Sequence, residues 1–253
     1  MPSVSASGFV TDADPAFKFV MFIMGSGGHT TEMLSMIERS IWPAFGMYRR
    51  YVVNEGDRMS YQRVVTLETR MGEVFAAQGL NPGLFDIVEV KRARRVHQGW
   101  LTTPLSAALS LVSIVRIILA AGTEELGLAG DERFPGVVLT NGPGTGFLFV
   151  AAAHLLKVAG LVPEHRLRAI YVESAAKVRT LSLTGRLLRW TGMSDIFVVQ
   201  HAGLAGDHAE VPPEHPLVLG ENFVVTPPSA RVLPLVVRED DEQIGREDPA
   251  GRD

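Results

Sequence analysis

Two glycine-rich stretches carry the residue types best suited to holding an anion: Gly25-Ser26-Gly27-Gly28-His29-Thr30 and Asn141-Gly142-Pro143-Gly144-Thr145-Gly146. Each follows a short apolar run and precedes a helix-like segment. At such a position unpaired backbone N–H groups and the helix dipole favour a negative charge. Glycines let the backbone approach that charge without a Cβ in the way, and His29 and Thr30 add side-chain donors. The first stretch is not a dinucleotide fingerprint, because Thr30 stands where the third glycine would be, and it lacks a P-loop lysine. Taken alone, these glycines could equally make a tight turn, with His29 capping the helix. Two such loops on one sheet edge suit an extended anion such as a diphosphate.

A third candidate is Glu173, in Tyr171-Val172-Glu173-Ser174, at the end of another apolar run. A carboxylate there could bind sugar hydroxyls or take a proton from one. Its spacing also allows a plain ion pair with Lys177 at i+4. A fourth group is basic: Lys91, Arg92, Arg94 and Arg95 precede Trp100 and the apolar stretch from Leu101 to Ala121. Cations beside an aromatic and an apolar helix suit an anionic membrane surface. Arg116 and the serines in that stretch argue against spanning, and a sheet-covering helix behind a solvated basic loop is the alternative.

These groups need a scaffold that brings them together. Apolar runs at Phe17–Met24, Tyr51–Val53, Ile87–Val90, Val137–Leu139, Ala169–Val172 and Ile196–Val199 read as strands, each separated from the next by potentially helical sequence. That alternation predicts an α/β, Rossmann-like parallel sheet, whose carboxyl edge gathers the loops. The expected organisation is a flexible N-terminus over 1–16, one Rossmann-like domain over 17–225, and a partly disordered tail over 226–253. The tail is Pro-rich and then acidic, with an apolar island from Val232 to Val237.

The chain has 253 residues and no cysteine, which excludes disulfides, thiolate zinc sites and a Cys nucleophile. Its formal net charge of -4 gives no general attraction to nucleic acid. The first residues lack the basic and apolar regions of a secretory signal, and no window offers the ~20 apolar residues that cross a bilayer as a helix.

The sequence resembles the membrane-anchoring subunit of the eukaryotic transferase that adds the second N-acetylglucosamine to dolichyl-diphosphate-GlcNAc. Gly25 to Leu34 is similar to that family's first signature and Asn141 to Thr145 to its second. The third runs through Tyr171-Val172-Glu173-Ser174, Thr180 to Gly185 and Asp195 to Gln200. Arg92 to Thr103 has a counterpart as well, and the resemblance covers about Phe19 to Val225. It implies the acceptor half of a GT-B glycosyltransferase, similar to the acceptor domain of the bacterial enzyme that makes lipid II. A separately encoded catalytic subunit would bind most of the UDP-GlcNAc, and this chain would recruit it to the cytosolic face of the endoplasmic reticulum or nuclear membrane. Carried over, Gly25, Ser26, Gly27, Gly28, His29 and Thr30, with Asn141, Gly142, Gly144 and Thr145, would hold the acceptor diphosphate. His29 and Glu173 are the candidate bases for an inverting transfer, and no metal or cofactor is expected. The sequence departs from the family in its polar first 16 residues, where a transmembrane helix is usual, and at His201-Ala202, where the family has Trp-Pro.

Overall fold

The structure is a computed structural model that describes residues 18–38, 47–93, 103–120, 128–201, 204 and 224–226. Six strands run parallel: β1 (Phe19–Ile23), β2 (Tyr48–Asn54), β3 (Leu84–Val90), β4 (Val137–Thr140), β5 (Arg168–Val172) and β6 (Ile196–Val199). Their spatial order is β3-β2-β1-β4-β5-β6, the doubly wound Rossmann order. A short seventh strand, β7 (Val224–Thr226), pairs antiparallel with β6, so the sheet is parallel except at this edge. All six runs expected to be strands are strands. β7 lies at the boundary assigned to the tail and carries no strand signal longer than three residues.

The central strands β1, β2 and β4 are buried along their whole length, as expected of a sheet covered on both faces. Alternate residues divide between two layers. Phe22, Tyr51 and Val198 pack with α1 (Gly28–Met36) and α2 (Arg58–Ala77) on one side. Met21, Val138 and Phe149 pack on the other with α3 (Thr103–Leu119) and α4 (Thr145–Val158), and Tyr171 and Phe197 extend that side under α5 (Leu183–Thr191).

The apolar segment expected from Leu101 to Ala121 is therefore mostly α3. Ile114 and Ile118 face the core, while Leu109, Val112 and Leu119 are exposed, as are Leu155 and Val158 of α4. It covers the sheet and still presents an apolar outer surface. Among the described residues no helix is long and apolar enough to cross a membrane. The segments 1–17 and 227–253 lie outside the described residues.

Candidate functional site

The strand order reverses between β1 and β4, and the two glycine loops follow these neighbouring strands. A crevice opens at the carboxyl end of such a switch point. The loops touch there: a Cβ on Gly142 would come within 3.0 Å of the Gly25 Cα, and a Cβ on Gly25 within 2.5 Å of the His29 Cβ. Glycine is required at both positions by close approach, which the spacing alone did not reveal.

Helix capping distinguishes these loops from the others. α2 begins at Asp57, whose carboxylate accepts from the Ser60 N–H, and α5 begins at Ser182, whose hydroxyl accepts from the Gly185 N–H. α1 and α4 begin instead at Gly27 and Gly144, with φ of 62° and 66° and no side-chain cap. Their first-turn N–H groups have no partner within the helix, and no side chain of the cap residue satisfies them. Ser26, Gly27, Gly28 and Gly144 are exposed around this double helix start.

Side chains from three loops converge on Glu32, in the first turns of α1. Its Oε1 accepts from the Ser174 hydroxyl and the Ala175 N–H, both at 3.0 Å. Its Oε2 lies 3.4 Å from His29 Nδ1 and 3.4 Å from Asn141 Nδ2. Asn141 Nδ2 also donates to the His29 carbonyl at 2.8 Å, which ties the β4 loop to α1. His29 is partly exposed. Its Nδ1 is in ion-pair range of Glu32 without hydrogen-bond alignment, and the buried Asn141 Oδ1 has no partner. Glu32 lies within the first signature but was not among the expected site residues.

The remaining candidates sort into an exposed rim and buried supports. Thr30 is fully buried: its hydroxyl donates to the Gly25 carbonyl and lies 2.8 Å from the Ser60 hydroxyl, so it fixes the first loop from below. Thr145 is buried too and donates to Asn54 Oδ1 at 3.0 Å. Both were expected to hold an anion; both hydroxyls are instead engaged by acceptors in the core, the Gly25 carbonyl and Asn54 Oδ1.

Glu173 is the larger correction. Its side chain was expected to meet a sugar, but the residue is 1% exposed. Oε2 accepts from the Ser182 N–H at 2.9 Å and its hydroxyl at 3.0 Å, and Oε1 from the Ser174 N–H at 3.1 Å. Lys177 makes no ion pair with it. A Cβ on Gly185 would fall 2.2 Å from Oε2, so α5 lies directly over the carboxylate. Glu173 thus closes the loop 174–182 onto the start of α5. Tyr171, above the same layer, has its phenol pKa raised by burial and, against a lowering hydrogen bond with Ser182, by the charges of Glu173 and Glu32.

Of the basic group, Lys91 and Arg92 are described, and Arg94, Arg95 and Trp100 lie outside the described residues. The Lys91 and Ala93 carbonyls accept from Ser110 and Ser106 of α3, which holds the start of this loop against the helix. Among the described residues no trio of His, Asp or Glu is placed to hold a metal ion.

Comparison with known proteins places this geometry in a family. Residues 20–211 match the family described as "Oligosaccharide biosynthesis protein Alg14 like". The UDP-N-acetylglucosamine transferase subunit alg14 of Aspergillus fumigatus is 34% identical over 215 residues, 70% of this chain and 93% of that protein. The corresponding subunits of Schizosaccharomyces pombe and Mus musculus are 34% and 33% identical over 76% and 72% of this chain and 79% and 74% of their own lengths. Among solved structures, Acinetobacter baumannii MurG is 12% identical with a TM-score of 0.44, over 78% of this chain and 44% of its own. The chain belongs to the Alg14-like family of oligosaccharide biosynthesis proteins.

Proposed function

We propose that this chain is the acceptor-binding subunit of a two-chain UDP-N-acetylglucosamine transferase, and that the diphosphate of a dolichyl-diphosphate-GlcNAc acceptor sits on the paired glycine loops. The observation that carries this reading is the contact of Gly25 with Gly142, which sets two helix starts without side-chain caps side by side. Two adjacent N-termini match two phosphoryl groups better than one. The relatives' shared name, transferase subunit, supports a separate partner that binds the donor UDP-GlcNAc.

In this reading the chain is half of a GT-B enzyme, and the transfer inverts the anomeric centre. The acceptor hydroxyl oxygen forms the new bond to the sugar, the bond to UDP breaks, and the hydroxyl proton passes to a base. His29 is the base in this reading, supported by its partial exposure at the crevice and by Glu32 Oε2 3.4 Å from its Nδ1. Glu173, buried and fully hydrogen-bonded, acts by shaping the loop that presents Ser174 and Ala175 to Glu32.

Membrane docking belongs to the same proposal. Leu109, Val112 and Leu119 of α3 and Leu155 and Val158 of α4 are exposed on two helices that pack together, and α3 also carries Arg116 and holds the Lys91 carbonyl through Ser110. Such a face fits the cytosolic surface of an anionic endoplasmic reticulum membrane, where a lipid-linked acceptor would be presented. The test is reconstitution with the donor-binding chain. The pair should convert dolichyl-diphosphate-GlcNAc to the chitobiose form, and Gly28→Ala should raise the acceptor KM at least tenfold. An unchanged KM removes the diphosphate from the glycine loops.

A further inference from the structure

The outer face of α5 is apolar at helical spacing. Leu183, Leu187 and Trp190, at i, i+4 and i+7, are 65%, 37% and 84% exposed, and Val178 ahead of the helix is 56% exposed. The inner face, Thr184, Gly185 and Leu188, is buried against the sheet. A stripe of this kind ending in an exposed tryptophan marks an interaction surface. Its charge is one-sided: between Glu173 and Asp195 the sequence holds Lys177, Arg179, Arg186 and Arg189 and no acid. All four cations are exposed.

A matching segment lies in the same chain. Val232-Leu233-Pro234-Leu235-Val236-Val237 is followed, after Arg238, by Glu239-Asp240-Asp241-Glu242, an apolar run and then a net acidic one. The topology brings the end of β7, from which that segment follows, to the right end of α5. Because β7 is antiparallel to β6, with Thr226 opposite Phe197, the chain leaves β7 beside the first residues of β6. Those residues follow α5 directly, so Thr226 ends near the Trp190 end of the helix. Pro227 to Arg231 reach at most ~20 Å. A chain returning along α5, about 13 Å long, meets Trp190, Leu187 and Leu183 with its apolar residues and then Lys177 and Arg179 with its acidic ones.

We propose that residues 232–242 dock along the outer face of α5, covering Leu183, Leu187 and Trp190 and pairing their acids with the cations around the helix. This docking is independent of what the crevice binds. The absence of cysteine makes it directly testable in the full chain. Leu187→Cys with Leu235→Cys should form an intramolecular disulfide on mild oxidation, at least fivefold more than Leu235→Cys with Met59→Cys on α2, across the sheet. Converting Glu239, Asp240, Asp241 and Glu242 to Lys should reduce that yield several-fold, and 1 M salt should act in the same direction. A yield no higher than the Met59 control overturns the proposal. So does a disulfide found only between two chains, which assigns the face to a second copy. Protection of Trp190 from acrylamide quenching that appears only with the donor-binding chain or with anionic vesicles also overturns it, in favour of that occupant.

Discussion

Glu32 Oε2 lies 3.4 Å from Nδ1 of His29, one helical turn away on α1, while its other oxygen accepts from the Ser174 hydroxyl and the Ala175 N–H of the β5 loop. One carboxylate therefore couples the proposed base to a neighbouring loop. His29→Ala should lower kcat of the reconstituted pair by about 10²–10⁴-fold with little change in thermal midpoint. Glu32→Gln keeps an acceptor oxygen for the loop but removes the charge beside His29, so it should lower kcat less. Steady-state rates with a lipid-diphosphate acceptor decide it. A full-rate His29→Ala enzyme would falsify the assignment.

The glycines should separate by function. Gly142→Ala drives a methyl against the Gly25 backbone, which cannot give as a flexible side chain can. It should cost about 1–3 kcal/mol of stability as an overpacked contact, together with most activity. Gly28→Ala meets open space within the fold, so it should unfold at nearly the wild-type temperature. Calorimetry of the two variants beside their KM values tests this contrast.

The scaffold was legible because each strand was an apolar run between helical stretches, and the same pattern located the two glycine loops at one sheet edge. The fate of Glu173 was less accessible, though a hint existed. It shares alternation with Tyr171, so both side chains turn to the layer covered by α5, where Ser182 meets the carboxylate. Glu32 could not be singled out, since its partners Asn141, Ser174 and Ala175 are distant in sequence and meet it only through the strand order. Thr30 and Thr145 carried the right donors, but whether a hydroxyl faces a ligand or the core depends on Ser60 and Asn54, which come from the neighbouring β2–α2 segment.

Arg49 and Glu68 form a buried two-point pair, Nε to Oε1 at 2.7 Å and Nη2 to Oε2 at 2.8 Å, and the Tyr51 hydroxyl donates to the same carboxylate. Burial opposes the Arg49 charge, yet the hydrogen bonds and charge of Glu68 outweigh it and raise its pKa. Removing either partner alone leaves the other charge buried. Arg49→Met or Glu68→Leu should therefore each cost about 3–5 kcal/mol, and the double variant should recover a large part of that loss. Urea unfolding of the four chains measures the coupling. Additive losses would show that the pair does not act as a unit.

Membrane association should depend on apolar area more than on any one cation. Leu109→Ser with Val112→Ser should reduce flotation with anionic vesicles by at least half, since α3 loses two of its exposed apolar side chains. Neutralising Lys91, Arg92, Arg94 and Arg95 should weaken flotation at low salt and matter less near 0.5 M salt, where a Debye length of about 4 Å screens them. Undiminished flotation in both variants would place the membrane contact elsewhere.

Alkaline stability follows from three buried phenols. Burial raises Tyr48 to about 12, helped by Asp86 and opposed by Arg50. Burial also raises Tyr51 and Tyr171, the first with help from Glu68 and the second from Glu173 and Glu32. In the unfolded chain these groups titrate near the ordinary value of about 10. Above that pH the unfolded state has released protons that the folded state still holds, so folding stability must fall as pH rises. Below pH 10 the contribution is complete. The decline should reach about 1.4 kcal/mol per pH unit for each phenol titrating only in the unfolded state. Tyr171→Phe removes one such proton, so its urea midpoint should start lower at pH 8, because the hydroxyl's contacts with Ser182 and Glu173 are lost, yet fall less steeply between pH 10 and 12. Parallel slopes for the variant and the native chain would mean that the Tyr171 phenol ionises as readily in the fold as outside it.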